Sequence, residues 1–140
     1  KSSHLAMTFI FNKSRLQDMQ EIISLYKSFD KYKEYTREEL YYHILPSIKL
    51  NQFKIIKEKN KVVSFANWAY LDNNSEEEYK KTKDFNNGSW KSGDNPWVID
   101  VVSKTNGAKM ANWLRSFFKK FKWMRSDNNF KFYRIGKKGY

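Results

Sequence analysis

This sequence predicts an α+β domain: a central, mostly antiparallel sheet flanked by helices in a three-layer arrangement. Three observations predict it. The chain has 140 residues, enough to bury one hydrophobic core but not two. Helical and strand patterns alternate along it in the order ααββαβαββ, so strands pair mostly with sequence neighbours and helices are left to cover the sheet. It also carries 5 Trp, 9 Tyr and 11 Phe, a bulky payload that suits an ordered core.

Ser14-Arg15-Leu16-Gln17 reads as a capping box. Leu16, Met19, Ile23 and Tyr26 follow at helical spacing, which predicts a first helix to about Lys27. Thr36-Arg37-Glu38-Glu39 is a stronger box, followed by Leu40, His43, Ile44 and Ile48, with Pro46 expected to end or kink that helix. Gln52–Lys57 and Val62–Leu71 read as a hairpin joined around Lys59-Asn60-Lys61. Ser75 to Lys83 reads as a short polar helix whose acidic start and basic end suit the helix dipole. A strand at Trp97–Val102 and a helix from about Asn106 to Lys120 come next. Met110, Trp113 or Leu114, Phe117 and Phe121 lie along one face of that helix. Lys122–Arg125 and Phe130–Ile135 read as two terminal strands. Lys1 to Ala6 precede Met7 and read as a vector-derived remnant or disordered N-terminus, with 7–140 the single domain. His43 is then the one remaining histidine.

Composition limits function. No apolar run approaches the roughly 20 residues that span a bilayer, and no secretory signal pattern opens the chain. The absence of cysteine excludes disulfides and thiolate metal sites and fits a cytoplasmic setting. The 27 Lys and Arg against 15 Asp and Glu leave a net charge of +12. That charge favours anionic partners such as nucleic acid, anionic lipid or an acidic protein. An AT-rich genome yields the same Lys-rich composition, and both explanations stand.

The most informative stretch runs from Trp90 to Asp100. Ser92-Gly93-Asp94-Asn95-Pro96 is dense turn chemistry, Trp97-Val98-Ile99 a strand core, and Asp100 a carboxylate where the strand should still be apolar. Left dry and unpaired, that charge costs several kcal/mol. Either it pairs with a lysine or caps a turn, or it serves a site. Asn106-Gly107-Ala108 then opens a helix.

Three blocks in this order resemble the RTX toxin-activating lysine acyltransferases, whose fold is a variant of the GNAT acyltransferase fold. They are Ile44-Leu45-Pro46-Ser47-Ile48 with Asn51-Gln52-Phe53, then Val63 to Ala69, then Trp90 to Asp100 with Asn106-Gly107-Ala108. The resemblance implies a GNAT-like domain that moves a fatty acyl group from acyl carrier protein, or a CoA thioester, to a protein lysine or other amine. It implies no permanently bound cofactor. The acyl-phosphopantetheine donor is a co-substrate, held by backbone N–H groups at Asn106, Gly107 and Ala108. It assigns catalysis to Asp100 and to the position of Tyr32, and substrate contact to Asn67, Trp68 and Trp97. An acidic acyl carrier protein, a protein substrate with an acceptor lysine and a homodimer are the partners it suggests.

The sequence departs from the family at the base. The family's catalytic His falls on Tyr32, in Ser28-Phe29-Asp30-Lys31-Tyr32-Lys33-Glu34-Tyr35, and the strand serine is Asn67. A phenol with pKa about 10 is a poor base at neutral pH. Tyr32 is therefore either a general acid for a departing thiolate or a packing residue. His43, between apolar neighbours, reads as a partly buried structural histidine, with rescue of the missing base as the alternative. Trp68, Trp90 and Trp97 read as core or rim more than as base-stacking platforms. Two rival functions remain: a non-catalytic, phage-type or accessory binding protein on the same fold, and a basic nucleic-acid-binding module.

Overall fold

The computed structural model describes residues 12–82, 85, 90–105 and 107–118. Within them the architecture is α+β. Helices α1 (Lys13–Lys27) and α2 (Arg37–Lys49) precede strands β1 (Phe53–Glu58) and β2 (Lys61–Leu71). Helix α3 (Asn73–Thr82), strand β3 (Asn95–Ser103) and helix α4 (Ala108–Phe118) follow. The sheet is antiparallel throughout, in the order β1-β2-β3. The sequence-predicted terminal strands, Phe121, Asn106 and the N-terminal segment lie outside the described residues.

Helix α1 is capped two residues before the expected box. Asn12 is its N-cap, accepting the Arg15 N–H at 2.8 Å, and Asn caps as well as Ser does. Its buried face is Met19, Ile22, Ile23, Leu25 and Tyr26, while Leu16 is exposed. An ion pair and a hydrogen bond tie the helix to the hairpin: Lys57 reaches Asp18 at 2.8 Å, and Glu21 accepts the Val62 N–H at 2.8 Å.

Helix α2 opens with the full reciprocal capping box of Thr36 and Glu39. It does not end at Pro46. That proline sits in the last turn, where burial of Ile44, Ser47 and Ile48 carries the helix on to Lys49. Asn51, at φ 59°, closes it: its N–H bonds Ile48 O at 3.1 Å and that of Gln52 bonds Ser47 O at 2.8 Å. This is the paired-bond ending that a left-handed residue permits. The hairpin turn places Lys59 and Asn60 at φ 51° and 67°, as a two-residue turn matched to strand twist requires.

Helix α3 is capped by Asp72, whose Oδ1 accepts the Ser75 N–H at 2.7 Å, and not by Ser75. The loop before β3 docks onto the end of β2. The N–H groups of Ser92 and Gly93 bond Tyr70 O, and the Tyr70 N–H bonds Trp90 O. A Cβ on Gly93 would stand 2.5 Å from the Asp72 Cα and 2.6 Å from Leu71 O, so only glycine fits. Buried Gln52 fastens this loop to the sheet, its Nε2 donating to the carbonyls of Trp68 and Trp90.

Alternation along β2 divides the core. Phe65, Ala69 and Leu71 share one face with α1, α2 and α3. Ala66 and Trp68 face the other way, against Met110, Leu114 and Phe118 of α4. The layers are thus helices, sheet, helix. This α+β arrangement is consistent with a GNAT-like domain.

Candidate active site

Between β2 and β3 the register slips by one residue. Asn67 pairs with Asp100 but Trp68 pairs with Val98, which leaves Ile99 as the extra residue of a β-bulge. Strict alternation would send Asp100 to the same face as Val98, against α4. The bulge turns it to the opposite face, where it meets α1 and α2. Re-aiming one side chain is what a bulge does to a strand. Asn67, fully buried, bridges the irregularity: its Oδ1 accepts the Asp100 N–H at 3.0 Å and its Nδ2 donates to Ser47 Oγ at 3.1 Å. Ser47 in turn donates to Ile44 O, so α2 is bonded to the sheet beside the carboxylate.

Asp100 is 1% exposed and its oxygens are well supplied with donors. Oδ1 accepts the Tyr32 hydroxyl at 2.9 Å; Oδ2 accepts the Tyr26 hydroxyl at 2.7 Å and lies 2.7 Å from His43 Nε2. Burial alone would raise its pKa. The charge of His43 and the hydrogen bonds from His43, Tyr26 and Tyr32 outweigh burial and hold it below the usual carboxylate value. His43 shows the converse. Burial and Lys31 lower its pKa, but the Asp100 charge and hydrogen bond prevail and raise it above 6.5. Burial, the Asp100 charge and the bond to it all push Tyr32 upward, and burial does the same to Tyr26. Both phenols are therefore neutral donors.

With Nε2–H donated to the carboxylate, neutral imidazole carries its free lone pair on Nδ1. The ring stands edge-on to Tyr26 at 5.7 Å and tilted to Tyr32 at 5.5 Å, and its side chain keeps 20% exposure. It borders a pocket of about 550 Å³. Asp100, Tyr32, Ile99, Tyr79 and Phe85 line it together with Lys31, Tyr35, Glu38, Glu39 and Tyr42. An ionised carboxylate, an imidazole with one free nitrogen and an adjoining space are the parts of a general-base site.

Of the residues singled out from sequence, Asp100 and Tyr32 come together, and Asn67 lies beneath them. Trp97 is on the same face, but packs on Tyr79 and donates to Glu76 at 2.7 Å. Trp68 points to the opposite face, stacked among Trp113, Phe117 and Phe118. Gly107 and Ala108 stand at the start of α4, away from the pocket lining, and a Cβ on Gly107 would meet only ordinary contacts. Tyr32 is 3% exposed and spends its hydroxyl on Asp100. The residue given the lesser reading, His43, is the one at the carboxylate. Its signal in the sequence was a lone histidine on the same helical stripe as Leu40 and Ser47, facing a strand with an unexplained aspartate.

The model of the RTX toxin acyltransferase family (HlyC) matches residues 12–136. The chain belongs to this family. It is 30% identical over 95 residues to the leukotoxin-activating lysine-acyltransferase LktC, serotype A1, of Mannheimia haemolytica, covering 66% of this chain and 56% of that protein. It is 30% identical over 86 residues to the RTX-I toxin-activating lysine-acyltransferase ApxIC of Actinobacillus pleuropneumoniae, covering 59% and 49%. The uncharacterized protein sll0720 of Synechocystis is 29% identical over 106 residues, covering 73% and 71%. The chain thus spans about half the length of the toxin-activating relatives it matches. Among the described residues, no helix is long and apolar enough to cross a membrane.

Proposed function

We propose that this protein is an acyltransferase that moves an acyl group from a thioester of acyl carrier protein or CoA to a protein lysine or another amine. The observation that carries the reading is the pairing of His43 with buried Asp100 beside the pocket. Family membership and the similarity to the lysine-acyltransferases LktC and ApxIC support it.

An amine arrives as a cation with pKa near 10.4. Glu38 and Glu39 attract it, and Tyr35 and Tyr42 offer aromatic faces that suit a cation. The ammonium first gives one proton to solvent, and His43 Nδ1 takes a second as the neutral nitrogen attacks the thioester carbonyl. The carbon–sulfur bond breaks, and the imidazolium returns its proton to the departing thiolate. Asp100 fixes the ring and stabilises its charged form. Tyr32, a neutral phenol tied to Asp100, takes no proton and supports the pair. The basic surface, with its net charge of +12, suits an acidic carrier protein as donor.

The test is transfer of a labelled acyl group from acyl carrier protein or CoA to a lysine peptide. Wild type should transfer it and His43→Ala should not. Binding of acyl carrier protein without turnover, with turnover appearing in Tyr32→His, would instead establish the accessory-protein reading. That second reading is favoured by Tyr32 standing where the resemblance calls for histidine. Tight nucleic-acid binding that weakens steeply with salt would mark the third class.

A further inference from the structure

We propose that Tyr32 is a positioning residue: its hydroxyl, bonded to the one Asp100 oxygen that His43 does not use, holds the carboxylate in place and sets the pH at which His43 releases its proton. The inference rests on the reading of His43 and Asp100 as the working pair.

The two oxygens of Asp100 are divided. Oδ2 serves both His43 and Tyr26, whereas Oδ1 serves Tyr32. A hydrogen bond to one carboxylate oxygen draws charge toward the donor and lowers the basicity of the whole group. With Tyr32 bonded, Asp100 attracts the imidazolium proton less strongly than a bare carboxylate at the same depth would. His43 is then neutral, and able to act as a base, at a lower pH. Tyr32 fits this work better than proton transfer, because it is buried and its phenol stays neutral.

Other groups around His43 also act on it, and each must be held constant. From β3 comes Asp100. From α1 comes Tyr26; from the segment before α2 come Lys31, Tyr32 and Tyr35; α2 itself supplies Glu38, Glu39 and Tyr42, and α3 supplies Tyr79. Tyr26 shares an oxygen with His43, so its removal disturbs the His43 bond directly. Removal of the Tyr32 hydroxyl leaves that bond and the ring contacts in place, which makes it the cleaner change.

The chain has 2 His, and His4→Gln leaves the His43 ring as the single imidazole signal in proton NMR. In that background Tyr32→Phe should move the His43 titration midpoint up by about 0.5–1 unit, the effect of one lost hydrogen bond to a carboxylate. Replacing Tyr32 by 3-fluorotyrosine, a stronger donor with the ring retained, should move the midpoint down. Opposite shifts support the clamp; an unmoved midpoint, or the same sign in both, overturns it. Should Tyr32→Phe fail to fold, the fluorinated chain decides alone, a downward shift supporting the clamp and any other result overturning it. The NMR readout needs no turnover. Opposite shifts in a protein that transfers no acyl group would leave the clamp standing and defeat the acyltransferase reading, and transfer with a fixed midpoint would do the reverse.

Discussion

Asn67 and Trp68 are consecutive on β2, yet they look into two different chemistries. Asn67 faces a polar seam in which Asp100, Tyr26, Tyr32, His43 and Ser47 exchange hydrogen bonds. Trp68 faces an aromatic layer of Trp113, Phe117 and Phe118. The apolar face needs only volume and shape, and tolerates exchange among bulky side chains. The polar face is over-determined, because Tyr26, Tyr32 and His43 all depend on one carboxylate and a buried donor left unmet costs about 1–3 kcal/mol. One sheet can thus stabilise the fold with one side and hold a reactive group with the other.

The largest effect should come from breaking the polar side. Asp100→Asn should lower acyl transfer about 10²–10⁴-fold, the usual contribution of a positioned base, as measured by initial rates on folded protein. If transfer is unchanged, the seam is structural. Trp68→Ala should do the opposite, costing about 3–5 kcal/mol of stability in chemical denaturation while activity per folded molecule changes little. Gly93→Ala forces a Cβ into backbone at 2.5 Å. It should cost about 1–3 kcal/mol, and a neutral result would mean that the loop can leave the end of β2. Thr36→Ala, which removes the α2 cap, should cost about 1 kcal/mol in the same assay.

The two faces should also part in their response to pH. The folded-state pKa of His43 is raised above 6.5, so its stabilising contribution is fully present below 6.5 and is lost as pH rises through the folded value. That of Asp100 is lowered from 3.8; its contribution is present above 3.8 and is lost as pH falls through the lowered value. The pair therefore stabilises most between about 3.8 and 6.5. The proposed base needs His43 neutral, so transfer should increase as pH rises through the raised value, where the pair stabilises less. Thermal unfolding and rates, each followed against pH on the same protein, test this opposition, and Trp68 variants should lower stability at every pH while leaving the pH midpoints of both profiles unmoved.

Much of the chain was legible because its signals are local. The Thr36 capping box, the Lys59-Asn60 turn, the strand run Val62–Leu71 and the Met110–Leu114 spacing each depend on neighbours a few residues away, whereas the structure buries Phe118 where the sequence pointed to Phe117. The shifted helix boundaries were also local competitions. Asn12 and Asp72 capped before Ser14 and Ser75 could, and burial of Ile48 carried α2 through Pro46. Asp100 stood out as a charge in an apolar strand. The partner of that charge did not, since His43 lies 57 residues away and periodicity does not register contacts at that range.

By itself the sequence determined that there would be a hairpin, covering helices, a turn at Ser92–Pro96 and a carboxylate in β3 that needed an explanation. Only the tertiary structure decided which face that carboxylate took. A one-residue bulge at Ile99 reverses the alternation, and strand pairing, not composition, sets a bulge. That reversal brings Asp100 to Tyr26, Tyr32 and His43 instead of to α4. It sets the carboxylate beside the α2 imidazole, to which local pattern alone gave a structural role, and turns the tyrosine at the expected base position into a donor to the carboxylate.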